Sequence, residues 1–324
     1  MNQWLQLVGG GLLLYFGAEW FVGGASALAL ALRIPQVIVG LTVVAYGTSM
    51  PEVIVGVQAA FAGHGDVAVG NVIGSNIANV GLILGIAALV RPARVDGTLQ
   101  RRELPVLIAS TALVPVLMLD GKVGPWDGAV LLVGAVGYTA GMVRAARAAN
   151  AAAAATAGAV VTAQAADAAG APRQTGTARA LGTAALGLAV LLFGGSWFVK
   201  GAVTIAHDLG MSERLVGLTI VAIGTSLPEL VTGVIAARKG HSDLAIGNVV
   251  GSNIFNILLC LGAAAVVSPI ATSLHALAID LAALGVMTLL AAVFIRSQRT
   301  ITRAEGGIAL ALYAAFMVVT VLRG

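Results

Sequence analysis

The chain contains one stretch twice. Residues 39–92 return as residues 216–269 at a constant offset of 177, without a gap, and 34 of the 54 aligned positions are identical. The first copy carries Gly47-Thr48-Ser49-Met50-Pro51-Glu52 and then Gly74-Ser75-Asn76-Ile77-Ala78-Asn79. The second carries Gly224-Thr225-Ser226-Leu227-Pro228-Glu229 and then Gly251-Ser252-Asn253-Ile254-Phe255-Asn256. The period is well above that of solenoid repeats. A shared fold alone would not preserve the same polar residues inside two apolar segments. Those residues point to a polar site that is built twice.

The surroundings of the copies are apolar. Hydrophobic residues make up 59% of the chain and charged residues 10%, which excludes disorder and argues against a soluble domain. Runs of about 20 apolar residues, each long enough to cross a bilayer, recur along the whole length. The predicted spans are 4–31, 35–62, 67–90, 103–119, 125–143, 180–206, 212–237, 243–266, 274–294 and 304–322, five per half. The expected fold is therefore an all-α integral membrane protein of ten transmembrane helices. Residues 1–143 form the first five-helix repeat, 144–179 an Ala-rich cytoplasmic linker read as mobile, and 180–324 the second repeat. The first span is not read as a signal peptide. It lacks a basic start, and Phe16-Gly17-Ala18-Glu19-Trp20-Phe21-Val22 has its own copy in Phe193-Gly194-Gly195-Ser196-Trp197-Phe198-Val199. Asp66 and Asp243 are expected to cap helices three and eight. The lone Cys260 is read as a packed small side chain.

Charge gives the orientation. If the connections after odd-numbered helices face the cytoplasm, they hold 14 Arg and Lys residues, and the other side holds four. Both termini then lie outside. Within the repeat, Phe61-Ala62 corresponds to Arg238-Lys239, whereas Arg91 and Arg94 correspond to Ser268 and Ala271. The motifs match while the flanking charge changes side. Five helices is an odd number, so the second copy enters the membrane upside down, the inverted-repeat architecture of many secondary transporters. The small basic excess reports orientation, and no nucleic-acid partner is expected.

Glu52 and Glu229 carry the chemistry. A carboxylate in hydrocarbon is costly unless it is paired, solvated or neutralised. The only base in the core segments, Arg214, lies far along its helix from Glu229, so the counter-charge is a proton or a bound cation. Each Glu follows a proline, which donates no N–H and frees carbonyls about four residues back. The freed carbonyls are expected at Gly47 and Thr48, and at Gly224 and Thr225. Thr48 and Ser49, and Thr225 and Ser226, add hydroxyls. Ser75 and Asn79 share a helix face, as do Ser252 and Asn256. This is a hard-oxygen set suited to Na⁺ and Ca²⁺. Hydroxyls and amides alone also serve helix packing, and Asn71, Asn76, Asn248 and Asn253 are read that way. Two unpaired buried acids do not fit a packing role. The repeat partner of Glu19 is Ser196, so Glu19 is expected outside the symmetric site, in a local hydrogen bond or near an interface, with a proton or ion pathway as the alternative.

The doubled Gly-Thr-Ser-x-Pro-Glu and Gly-Ser-Asn-Ile-x-Asn segments resemble the alpha repeats of the sodium/calcium exchanger family, in the cation/calcium antiporter superfamily, over nearly all the chain except the linker. The resemblance implies exchange of Na⁺ for Ca²⁺ by alternating access, in a plasma or inner membrane. It implies ligands at Thr48, Ser49, Glu52, Ser75, Asn79, Thr225, Ser226, Glu229 and Ser252, with carbonyls at Ala45 and Ala222. Some members have Asp where this chain has Asn256, so two formal negative charges are expected here and potassium co-transport is disfavoured. No cofactor is expected beyond the transported Ca²⁺ and Na⁺, the protein is not read as an enzyme, and a monomer is expected to suffice. Helices one and six are expected to slide against the core. A proton-coupled cation exchanger on the same scaffold and a passive cation channel stay open as rival readings.

Overall fold

The computed structural model describes residues 2–95, 97, 99–161, 176–211, 222–297 and 300–323. No water reaches the centre of a bilayer, so each apolar run must pair its own backbone, and helix is the form that does so within one segment. In the first half the helices are α1 (Gln3–Leu32), α2 (Gln36–Thr48), α3 (Met50–Phe61), α4 (Gly65–Val90), α5 (Leu104–Leu117) and α6 (Pro125–Val161). In the second half they are α7 (Thr177–Asp208), α8 (Ala222–Thr225), α9 (Leu227–Lys239), α10 (Ser242–Val267), α11 (Ala278–Ser297) and α12 (Arg303–Arg323). Among the described residues seven helices are long and apolar enough to cross a membrane, or eight when α2 and α3, bent by 43° at their junction, count as one span. The protein is an all-helical, multi-pass membrane protein with a broken core helix.

Two expected spans fall short of that test. Segment 103–119 becomes the shorter α5, preceded by a π-helical turn at Leu99–Glu103. The start of segment 212–237, with Arg214, lies outside the described residues. In the expected linker, α6 runs on to Val161, and residues 162–175, with Asp167 and Arg173, lie outside the described residues. The capping expectation is corrected. His64 and His241 occupy the N-cap positions of α4 and α10, without side-chain caps, and Asp66 and Asp243 sit inside the first turns, where their charge still complements the helix dipole.

The two halves are related by a two-fold axis. Thr111 of α5 and Thr288 of α11, repeat equivalents, place their hydroxyls 3.3 Å apart. A residue that touches its own counterpart marks such an axis. Four two-residue strands obey the same operation: β1 (Ala93–Arg94), β2 (Lys122–Val123), β3 (Ile270–Ala271) and β4 (Thr300–Ile301). The pairs Ala93↔Ile301 and Arg94↔Thr300 become Val123↔Ile270 and Lys122↔Ala271 when the halves are exchanged. Between β1 and β3 the offset is still 177, whereas between β2 and β4 it has grown to 178. On the ten-span reading, β1 follows the third span and β4 the ninth, so their pairing puts both connections on one membrane face, and a repeat of five spans, an odd number, enters the membrane upside down the second time.

The halves are interleaved rather than set side by side. α6 of the first half crosses α10 of the second at Gly128, where a Cβ would lie 2.6 Å from the Gly262 carbonyl oxygen. α12 crosses α4 in the same way at Gly306, 2.7 Å from the Gly85 carbonyl oxygen. Glycine is needed at both because backbone meets backbone there. α1 and α7 form a separate antiparallel pair outside this core. Gly10, Gly17 and Gly24 lie against the α7 backbone, and Gly187, Gly194 and Gly201 against that of α1, so the seam has almost no side-chain spacer.

Candidate cation-binding site

The doubled motif breaks its helix as the proline chemistry requires. α2 ends at Thr48 and α3 begins at Met50, with Pro51 in its first turn. Across the junction the backbone hydrogen bonds are Ser49 N–H to Ala45 O and Val53 N–H to Ser49 O. Among the described residues no N–H of α3 reaches the Gly47 or Thr48 carbonyl. The α8/α9 junction repeats the break at Ser226, whose N–H bonds the Ile223 carbonyl. Glycine allows the outer helix pair to press on both breaks: a Cβ at Gly47 would meet Leu188 at 2.8 Å, and one at Gly224 would meet Val199 at 2.6 Å.

The two breaks face each other. Ser49 Oγ donates to Glu229 Oε1 at 3.1 Å, and Ser226 Oγ lies 3.5 Å from Glu52 Oε1. Each carboxylate is therefore addressed by the other repeat's serine. Both Glu residues are about 1–2% exposed, and their Oε2 atoms have no hydrogen-bond partner. Among the described residues neither has a basic partner. Thr48 Oγ1 donates to the Val44 carbonyl at 3.0 Å, which leaves its lone pairs free. Ala45 is fully buried beside it, and Thr225 is half-buried in α8, which begins at Ala222.

The Ser/Asn faces complete the enclosure. π-helical turns start at Asn79 in α4 and at Asn256 in α10; such bulges are frequent at functional sites because they turn a side chain out of the regular face. Ser75, Asn79, Ser252 and Asn256 are all buried. Ser252 Oγ, Asn79 Oδ1 and Asn256 Oδ1 have no partner. With the two Glu Oε2 atoms, that leaves five buried oxygens unsatisfied, a large desolvation cost unless something donates to them or a cation sits among them. Among the described residues no cluster of three or more His, Cys, Asp or Glu exists, so amides and hydroxyls supply most of the oxygen.

Four residues assigned to packing, or overlooked, sit on this site. Asn71 Nδ2 donates to the Glu52 carbonyl at 3.1 Å, and the Cys260 thiol donates to the same oxygen at 3.0 Å. Asn248 Oδ1 lies 3.2 Å from Thr48 Oγ1. Asn253 Oδ1 accepts from Asn79 Nδ2 at 2.9 Å across the two repeats. Asn76 donates its Nδ2 back to the Val72 carbonyl, and its buried Oδ1 has no partner. Glu19 lies outside the site and pairs with Lys239. The signal for Asn71 and Asn248 was their exact duplication at the offset of 177.

An inverted repeat with two broken helices facing across a buried, acid-bearing centre defines a membrane carrier for cations. The comparisons with known proteins give the family. The profile described as "Sodium/calcium exchanger protein" matches residues 2–144 and 179–322, and the chain belongs to this sodium/calcium exchanger family. The family is one of transporters, not enzymes. The chain is 40% identical to "Putative antiporter CaxA" of Alkalimonas amylolytica, over 79% of this chain and 78% of that one. It is 32% identical to "Sodium/calcium exchanger MaX1" of Methanosarcina acetivorans, over 98% of both. Among solved structures, the sodium-calcium exchanger NCX_Mj soaked with 2.5 mM Na⁺ and 0.1 mM Ca²⁺ superposes with a TM-score of 0.82 at 30% identity, covering 98% of this chain and 99% of that one.

Proposed function

We propose that the protein exchanges Na⁺ for Ca²⁺ by alternating access. The observation that carries this is the facing pair Glu52 and Glu229, each held by the other repeat's serine and each with an unpartnered oxygen. Two carboxylates balance one Ca²⁺ or two Na⁺, so the two cargoes compete for one charge. Thr48, Ser49, Ser75, Asn79, Thr225, Ser226, Ser252 and Asn256, with the Ala45 and Ala222 carbonyls, supply the remaining ligands. The names of the relatives MaX1 and NCX_Mj support Na⁺ as the coupling ion. The α1–α7 pair slides past the core to open the site to one face at a time. The excess of basic residues on one side supports an orientation with the termini outside, and the Escherichia coli relative "Inner membrane protein YrbG", 37% identical, supports an inner-membrane location.

The test is uptake of radiolabelled Ca²⁺ into proteoliposomes. An imposed Na⁺ gradient is expected to drive uptake in the parent, and Glu52→Gln and Glu229→Gln are each expected to abolish it. Uptake that follows a pH gradient and ignores Na⁺ would replace the reading with a proton-coupled exchanger, and single-channel currents would replace it with a channel.

A further inference from the structure

The outer helix pair does not treat the two repeats alike. α3 and α9 correspond at the offset of 177. α9 buries Ile235, Ala236 and Ala237, whereas the counterparts in α3 are exposed Gln58, half-buried Ala59 and buried Ala60. Ile54 of α3 is 50% exposed. Phe21, Val22, Ala25 and Ala29 of α1 share one apolar cluster with Ile235 and Ala236, and α7 has no comparable packing on α3. The pair therefore covers α9 and leaves α3 uncovered, meeting the first repeat, among the described residues, only at α2 and the Gly47 break.

An ion pair fastens the covered side. Lys239 Nζ, at the end of α9, lies 2.5 Å from Glu19 Oε2 and 3.2 Å from the Glu19 carbonyl oxygen. The two-fold operation converts this arrangement into its opposite, with α7 packed on α3 and α9 uncovered. There the corresponding positions are Ser196 and Ala62. A serine and an alanine make no ion pair, so the attraction exists in one arrangement and has no replacement in the other.

We propose that Glu19 and Lys239 form a one-sided latch, which holds the α1–α7 pair over α9 and biases the resting protein toward the arrangement with the α3 side open. The proposal rests on the alternating-access reading, because a latch matters only if the pair moves. A ligand or contact shifts a two-state equilibrium by its difference between the states, and here that difference is the whole pair. Glu19 and Lys239 are 28% and 31% exposed, so the pair acts as a partly screened one. Its loss is expected to change the ratio of the two arrangements by about two- to fivefold.

The test reads the ratio directly. Spin labels at Leu30→Cys on α1 and Leu119→Cys after α5, both more than two-thirds exposed, report the position of the pair against the core as a distance distribution. Glu19→Gln and Lys239→Gln are each expected to move weight from the parent distance to a second one by about two- to fivefold. The double variant is expected to match either single, because one interaction cannot be lost twice, and the charge-swapped Glu19→Lys/Lys239→Glu is expected to restore the parent ratio. An unchanged ratio in both single variants, additive shifts in the double, or a swap that restores nothing overturns the latch. Sodium-driven Ca²⁺ uptake is measured on the same proteins. Failure of the parent to exchange would remove the exchange reading with the distances still readable, whereas normal exchange with unmoved distances would remove the latch alone.

Discussion

Ser49 and Ser226 are equivalent by sequence but not by contact, since Ser49 is 3.1 Å from Glu229 and Ser226 is 3.5 Å from Glu52. A hydrogen bond to a charged group contributes about 1.5–3 kcal/mol, and one at the distance limit much less. Ser49→Ala is therefore expected to weaken Ca²⁺ binding by about tenfold or more, and Ser226→Ala by less than about threefold, measured by calorimetric titration. Asn253→Ala removes the acceptor for Asn79 and is expected to lower Ca²⁺ affinity in the same titration, although Asn253 is not itself a proposed ligand. His241 gives a pH test outside the spans. Burial, and then the Lys239 charge, push its imidazole below the ordinary value, and the neutral ring pairs Nδ1 with Gln36 Oε1. A base held low is neutral in the fold, so stability is unaffected above its unfolded value of about 6.5 and is lost as pH falls below that. Thermal unfolding is expected to drop more between pH 7.5 and 5 in the parent than in His241→Gln. The acids and hydroxyls that meet at the buried centre were legible as a group because two unpaired acids doubled in apolar runs have few bland explanations. That Asn248 meets Thr48 and Asn253 meets Asn79 was not, because spacing along one helix does not say which other helix crosses it.

At the scale of elements, adjacent glycines in α1 make opposite predictions. A Cβ at Gly10 would lie 2.4 Å from the Phe198 backbone nitrogen, whereas one at Gly11 would meet Phe198 at an ordinary 3.8 Å. Gly10→Ala is expected to cost about 1–3 kcal/mol through overpacking. Gly11→Ala is expected to be neutral or slightly stabilising through helix propensity. Melting temperatures of the purified proteins check both, and equal shifts would contradict the seam. The broken helices were legible from Pro51 and Pro228, since proline chemistry is local. The π turns at Asn79 and Asn256 were not, because nothing local in Asn-Val-Gly-Leu or Asn-Ile-Leu-Leu demands an extra residue in a turn. They belong to the packing of α4 on α10.

For the whole molecule, the swapped flanking charges and the odd number of helices made the inversion legible. The interleaving of α6 with α10 and of α12 with α4 was not, because composition does not reveal partners. The orientation is testable. An epitope inserted between residues 162 and 175 is expected to be reached only after the inner face is exposed, and one added after residue 324 from intact cells. The reverse pattern would turn the orientation over. Interleaving also predicts that neither half is stable when expressed alone, since each lacks the helix that its own third span packs against.

The contact between Thr111 and Thr288 carries a last consequence. A surface that meets its own copy is the signature of an isologous dimer, so this single chain is bonded as a homodimer whose protomers happen to be joined end to end. A dimer of identical protomers would have to place any new charge in both halves at once. Joined genes are released from that rule. The exchange of Phe61-Ala62 for Arg238-Lys239, and of Ser196 for Glu19, is asymmetry of a kind that only the fused form can inherit.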